Sequence, residues 1–192
     1  VVVTPRIGKP VEVNALWHHA LAVLARFAVQ VGDEVASRRY AALAGQVAAS
    51  FRRRYWYAGG GYLFDVIDGP GGNDPALRPN QLLAVALPSR LLEPAEAAAV
   101  VAACQRELLT PMGLRTLAPG DPAYTGSYAG GPVQRDAAYH QGTVWPWLLG
   151  AFAIAHHRVH GRPGEARAFL AAIGSHLAEA GIGTVSEIFD GD

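Results

Sequence analysis

The chain has 192 residues, half of them hydrophobic, enough for one domain, or a large piece of one, with a substantial core. Lys plus Arg and Asp plus Glu number 16 each, so no net basic field draws the chain to nucleic acid or an anionic membrane. A single cysteine, Cys104, excludes an intrachain disulfide and suits a reducing compartment, which makes the cytoplasm the expected location.

The opening "VVVTPRIGKP" lacks the basic and apolar regions of a signal peptide and an initiator Met. No apolar run reaches the roughly 18 residues needed to span a membrane. The end, "VSEIFDGD", stops on a polar motif without a closing helix. The sequence therefore reads as part of a longer one.

In chain order, Val13 to Val31 is apolar nearly all round, which predicts a helix buried on most sides. Asp33 to Arg54 carries Ala36, Tyr40, Leu43, Val47 and Phe51 at helical spacing, with Arg38, Arg39, Gln46 and Arg52 mostly off that stripe, so it reads as amphipathic. Tyr55 to Ile67 combines Gly59-Gly60-Gly61 with aromatic and β-branched residues and predicts a short hairpin. Gln81 to Leu87 is again apolar all round. Ala97, Val101, Cys104 and Leu108 mark a second amphipathic helix after Glu93-Pro94. Thr143 to His157 is a third buried segment, and Ala166, Leu170, Ile173 and Leu177 mark a last amphipathic helix after Arg162-Pro163.

Buried and half-exposed helices thus alternate, as inner and outer helices do in a toroid of antiparallel pairs. The loops entering the half-exposed helices carry little beyond turn chemistry. Those entering the buried helices, and the terminal "GTVSEIFDGD", are rich in polar and aromatic groups. Because successive helices run antiparallel, loops of one parity share one rim. The connection from Thr110 to Gly142 far exceeds the length of about 12 to 15 residues beyond which loops are commonly functional.

Polar groups with aromatics at such a rim suit a sugar: Trp and Tyr faces stack on the C–H side of a pyranose, and planar polar groups bond its hydroxyls. In "AYHQGTVWPWLLG", His140, Gln141 and Trp145 are expected at the rim, with Trp147 turning into the core; core packing is the ordinary alternative for both Trp. Glu187 is the leading carboxylate for glycosidic hydrolysis, which needs a proton donor and a group that activates water or attacks carbon. An ordinary loop acid is its alternative. Asp136 either binds substrate or pairs with Arg135. Glu12, Asn14 and Asn80 stand at helix starts, where capping explains them as readily as sugar binding. Asp65 in "YLFDV" reads as structural. His156 and His160 have zinc-like spacing but no HExxH pattern or third ligand, so they read as solvated helix-end histidines, and no metal or organic cofactor is expected. Cys104 lies on an apolar stripe and reads as a small buried hydrophobe.

The segments "TPRIGKPVEVNALW", "LRPNQLLAVALP", "RELLTPMGLRTLAP", "DPAYTGSYAGG", "RDAAYHQGTVWPWLLG" and "SEIFDGD", in that order, closely resemble the C-terminal catalytic domain of glycogen debranching enzymes of the amylo-α-1,6-glucosidase type. The resemblance covers practically all of the chain. It implies an all-α fold, about half of an (α/α)6 toroid with a small β-hairpin insertion, and makes residues 1–192 the C-terminal portion of one glycosidase domain, incomplete at both ends. It implies inverting hydrolysis of α-1,6-glucosidic branches in glycogen or a related dextrin, without cofactor. Glu187 matches the general base, and Arg6, Glu12, Asn14, Asn80, Asp136, His140, Gln141 and Trp145 match sugar-site positions. The general acid belongs to a Trp-Met-Asp segment upstream, so the missing N-terminal part of the same chain is an expected partner and these residues alone are expected to be inactive. The alternatives are a non-catalytic carbohydrate-binding or structural helical domain, and another toroid glycosidase of the trehalase or glucoamylase kind.

Overall fold

Strand β1 (Lys9–Pro10) leads directly into helix α1 (Val11–Gln30), whose first orphan donor, the Val11 N–H, bonds the Asp65 carbonyl at 2.9 Å. The computed structural model describes residues 4–179 and 181–192; Val1 to Val3, the first residues of the expected domain span, and Ala180 lie outside the described residues. A short turn reverses the chain into α2 (Glu34–Tyr55), capped by the Asp33 carboxylate on the Ala36 N–H and ending in Arg52, Arg53 and Arg54, which favour the helix C-terminus. The two pack side by side as a helical hairpin. The stripe expected on α2 is present, running through partly buried Ala36, Tyr40, Leu43 and Val47 to buried Phe51.

Beyond α2 the chain forms the hairpin β2 (Trp56–Tyr57) and β3 (Tyr62–Leu63), then β4 (Val66–Gly69) and β5 (Gly72–Asp74). The antiparallel sheet β1-β4-β5 pairs Pro10 with Val66 and so sets Arg6 beside Asp65. A 3-10 turn (Pro79–Leu82) follows, then the one-turn α3 (Leu83–Ala86) and α4 (Pro94–Glu107), which opens with Pro94 and a Glu93/Glu96 capping box. Strands β6 (Leu109–Thr110) and β7 (Gly113–Arg115), helix α5 (Pro132–Ala138) and strand β8 (Val144–Trp145) precede α6 (Leu148–His160), which ends on left-handed Gly161. Two short helices, α7 (Pro163–Ala168) and α8 (Ala171–His176), complete the order.

Among the described residues the fold is mostly helical with three small sheets, where the sequence predicts one hairpin. Two-residue strands are too short to carry an alternating pattern, so periodicity is blind to them. The expected helix at Gln81 to Leu87 divides into the 3-10 turn and α3, because Pro88 bars its continuation. The segment Thr143 to His157 begins as strand β8 and becomes helical after Pro146 and Trp147. The last predicted helix breaks near Phe169, and Leu170 and Leu177 of its stripe are exposed. Helix α1 is buried along Val11, Ala15, His18, Leu21 and Ala28 only; Trp17, Phe27 and Val31 are more than half exposed, so it is not enclosed on most sides here. Helix α6 comes nearest to an inner helix, packing against α3, α4 and α7 through Leu148, Leu149, Phe152 and Ala155.

Candidate functional site

Three of the four segments expected to share a rim meet at one cleft, and no described residue of the terminal segment adds to its lining. Thr4, Arg6, Arg78, Pro79, Asn80, Thr116, His140, Trp145, Trp147 and Leu148 line a cleft of about 400 Å³. That size lies within the usual range for small-molecule sites.

One wall is built around Asp65, which is buried at the start of β4. Arg6 donates to it from Nε at 2.6 Å and from Nη2 at 2.9 Å, and Asn80 Nδ2 donates at 3.1 Å. Arg6 also forks onto Glu12, at 2.6 and 2.7 Å. Burial works against the Arg6 cation, but Glu12 and Asp65 outweigh it and push its pKa up. Burial pushes the Asp65 carboxyl up, and hydrogen bonds from Arg6 and Asn80 pull it back toward the ionised form.

The aromatic part of the lining comes from residues 139–147. The His140 and Trp145 rings stack with centroids 5.2 Å apart and planes 16° apart, and the Trp145 indole N–H donates to the Tyr139 carbonyl at 3.1 Å. Thr143 Oγ1 donates to the same carbonyl at 2.7 Å, and Thr116 Oγ1 accepts from the Gly142 N–H at 2.9 Å while donating to the Thr143 carbonyl at 3.0 Å. Gly142 has φ +148°, and a Cβ there would sit 2.7 Å from the Thr125 carbonyl oxygen, so only glycine fits this turn. Burial, and then the Arg78 charge, hold the His140 imidazole below its ordinary pKa and favour the neutral ring.

The terminal segment docks beside that aromatic stretch. Phe189 and Val144 exchange backbone hydrogen bonds at 2.8 and 2.9 Å, Arg115 Nε donates to the Gly191 carbonyl at 2.7 Å, and the Tyr128 N–H donates to Asp190 at 2.6 Å. Asp190 therefore ties the terminal segment to the long connection at Tyr128. Glu187 stands exposed beside Tyr139, where partial burial and the Glu187 carboxylate together push the phenol pKa up. Its negative charge also favours protonated His140.

The candidate residues are thus distributed unevenly. Arg6, Asn80, His140 and Trp145 line the cleft; Glu12 braces Arg6, and Gln141 accepts a hydrogen bond from Arg78 at 2.6 Å. Glu187 flanks the cleft without lining it. Asn14 bonds the Pro10 carbonyl at 2.8 Å, inside α1 rather than as its cap, and lines a separate hollow beside Tyr55. Asp136 is exposed on α5, with no ion pair to Arg135 among the described residues. Trp147 does not turn into the core: it is 61% exposed and lines the cleft, because Pro146 and Trp147 form the turn before α6. His156 is not solvated but buried against Phe152 and Phe169. Sequence reading missed Arg78, Thr4 and Thr116; the "LRPN" segment pointed toward the first of these but was read through Asn80. No metal-binding cluster of three or more His, Cys, Asp or Glu is present among the described residues. Cys104 is fully buried, and burial pushes its thiol pKa up, as expected of an inert packing residue.

The family model described as amylo-alpha-1,6-glucosidase matches residues 1–192. The chain is 37% identical over 93 residues to the glycogen debranching enzyme of Saccharomyces cerevisiae, a match covering 45% of this chain and 6% of that protein. Its fold is similar to that of a GH63 mannosylglycerate hydrolase from Thermus thermophilus, with TM-score 0.69 and 16% identity over 95% of this chain and 40% of that one. A solved chain described as a sialidase matches with TM-score 0.75 and 13% identity, over 99% of this chain and 18% of that one. The chain therefore spans only a small part of the curated relative and less than half of either solved chain.

Proposed function

Because the chain belongs to the amylo-α-1,6-glucosidase family, we propose that it forms the sugar-binding and water-activating part of an inverting glycosidase acting on α-1,6-glucosidic branches of glycogen or a related dextrin. The observation that carries this reading is the cleft itself: the aromatic rings of His140, Trp145 and Trp147 and the planar polar groups of Arg6 and Asn80 line one hollow. A pyranose presents those two kinds of surface, C–H faces above and below and hydroxyls at its edge.

In this reading Trp145 and Trp147 carry the apolar face of the sugar, and Arg6 and Asn80, held by Asp65 and Glu12, bond its hydroxyls. Glu187 is the general base that takes a proton from the attacking water. Inversion requires its carboxylate to stand about 6.5 to 9.5 Å from the general acid, leaving room for that water. The resemblance places the acid in a Trp-Met-Asp segment, and the 192 residues contain none. The helices form part of an (α/α)6 toroid completed by other residues of the full-length protein, and the 192 residues alone turn over no branched substrate. The protein acts in the cytoplasm, to which a single buried Cys104 is suited. Separately, no helix of the described residues is long and apolar enough to cross a membrane.

The test is hydrolysis of a branched limit dextrin by the full-length protein, followed by proton NMR. Early release of β-glucose from the α-linked branch supports the proposal; α-glucose as the first product, or no glucose, contradicts it. A second reading, sugar binding without hydrolysis, is favoured by the exposure of Glu187 and its position outside the cleft lining. Binding of isomaltose without turnover by the full-length protein would select it.

A further inference from the structure

Arg78 is a buried cation, and such a charge is costly unless its donors are used. Burial holds its pKa below the ordinary arginine value. Asp65 lies in reach, yet the closest approach is 3.8 Å from Nε, and Nε has no hydrogen-bond partner. The guanidinium forgoes the two-pronged carboxylate geometry that gives arginine its strongest pairing. Its terminal nitrogens go elsewhere: Nη1 donates to the Thr116 carbonyl at 3.0 Å and the His140 carbonyl at 2.7 Å, and Nη2 donates to Gln141 Oε1 at 2.6 Å. Two of the three acceptors, on His140 and Gln141, belong to the aromatic segment, and the third, Thr116, is itself hydrogen-bonded to Gly142 and Thr143; all lie far along the chain from Arg78. The neighbouring Asn80 belongs to the Asp65 side.

We propose that Arg78 is a positioning residue that holds the His140–Gln141 segment, and with it the His140–Trp145 stack, in register with the Arg6–Asp65–Asn80 wall. The inference rests on the reading of this cleft as the sugar site. A guanidinium suits the task because its donors diverge in one plane and reach two carbonyls and an amide oxygen at once. A lysine ammonium, with donors radiating from one atom, satisfies the charge but not this geometry.

The experiment compares the full-length protein with its Arg78→Lys and Arg78→Gln variants in branched-dextrin kinetics and in an NMR titration of the His140 imidazole. Arg78→Lys is expected to lower kcat on the order of 10²-fold, as a roughly 1 Å misplacement of a reacting geometry does, with KM changed far less. Arg78→Gln is expected to move the His140 titration upward, because the cation that disfavours imidazolium is gone. Wild-type turnover in Arg78→Lys, or an unmoved His140 titration in Arg78→Gln, would overturn the proposal. Should both variants unfold, Gln141→Met removes one half-buried acceptor while leaving Arg78 in place: reduced kcat at steady KM supports the clamp, and unchanged kcat refutes it. If the unaltered protein cleaves no dextrin, the glycosidase reading fails by itself, and the His140 titration still decides the placement of Arg78.

Discussion

The imidazole of His140 and the indole of Trp145 lie nearly parallel, 16° between planes with centroids 5.2 Å apart, so the two rings stack on one another in the lining of the cleft that Arg6 shares. The indole N–H is occupied by the Tyr139 carbonyl, which leaves the ring to act as a face rather than as a donor.

Trp145→Ala is therefore expected to lower kcat/KM on branched dextrin by about 10- to 100-fold, or ~1.4 to 2.7 kcal/mol, without unfolding the protein. Trp145→Phe is expected to retain most activity, since it keeps a stacking face. Steady-state kinetics with circular dichroism as the folding check decides this; full activity in Trp145→Ala would show that the indole carries no sugar.

His140 and Trp145 were legible in the sequence because they stand close together where a polar loop meets an apolar segment, whereas Trp147, expected in the core, joins the cleft only in the structure; two amphipathic helices were legible because the stripes of α2 and α4 repeat over several turns. The Asp65 wall was less so. Arg6 and Asp65 are brought together by β1-β4 pairing, with Asn80 reaching them from the 3-10 turn, and a two-residue strand announces nothing in sequence. Arg78 precedes a proline and resembles a helix-start residue; only its long-range acceptors reveal a clamp. His156 shows the opposite failure, since polar histidine spacing at a helix end concealed a buried ring packed on Phe169. Glu187, expected at the rim, stands beside Tyr139 without lining the cleft, and its exposure is not readable from its apolar neighbours.

Stability should fall on mild acidification. His18, His140 and His156 are each held below the ordinary value of 6.5, in every case first by burial. A histidine whose folded pKa is depressed contributes stability that is fully present above the unfolded value and lost as pH falls through the folded one. The melting temperature is expected to drop between about pH 7 and pH 5, and the slope in that window to flatten in His156→Leu. His156 is the sharpest probe, because its Nδ1 is buried without a partner. A pH-independent melting temperature across this window would contradict the assignment.

Phe152 is fully buried on α6 and meets Phe169 edge-on, with centroids 5.0 Å apart. Phe152→Ala is expected to cost about 3 to 5 kcal/mol in urea unfolding, through lost transfer energy and the cavity left behind. A change below about 1 kcal/mol would mean that the core there collapses to fill the space, contrary to the packing described.

The 192 residues expressed by themselves are expected to associate. Trp17, Phe27 and Val29 expose 53, 57 and 64% of their surface along α1, a concentration of large apolar groups that a monomer rarely presents to water. Light scattering should show species larger than 20.3 kDa, reduced by the Trp17→Lys, Phe27→Lys double variant. A monodisperse monomer would count against this.

The most direct test of the account is Glu187→Gln in the full-length protein, assayed on a branched dextrin. If the carboxylate beside Tyr139 activates the attacking water, kcat falls by about 10² to 10⁴ while KM stays within about threefold, because the amide keeps the shape and loses the base. Turnover equal to the unaltered protein would remove Glu187 from the chemistry and leave the cleft a binding site.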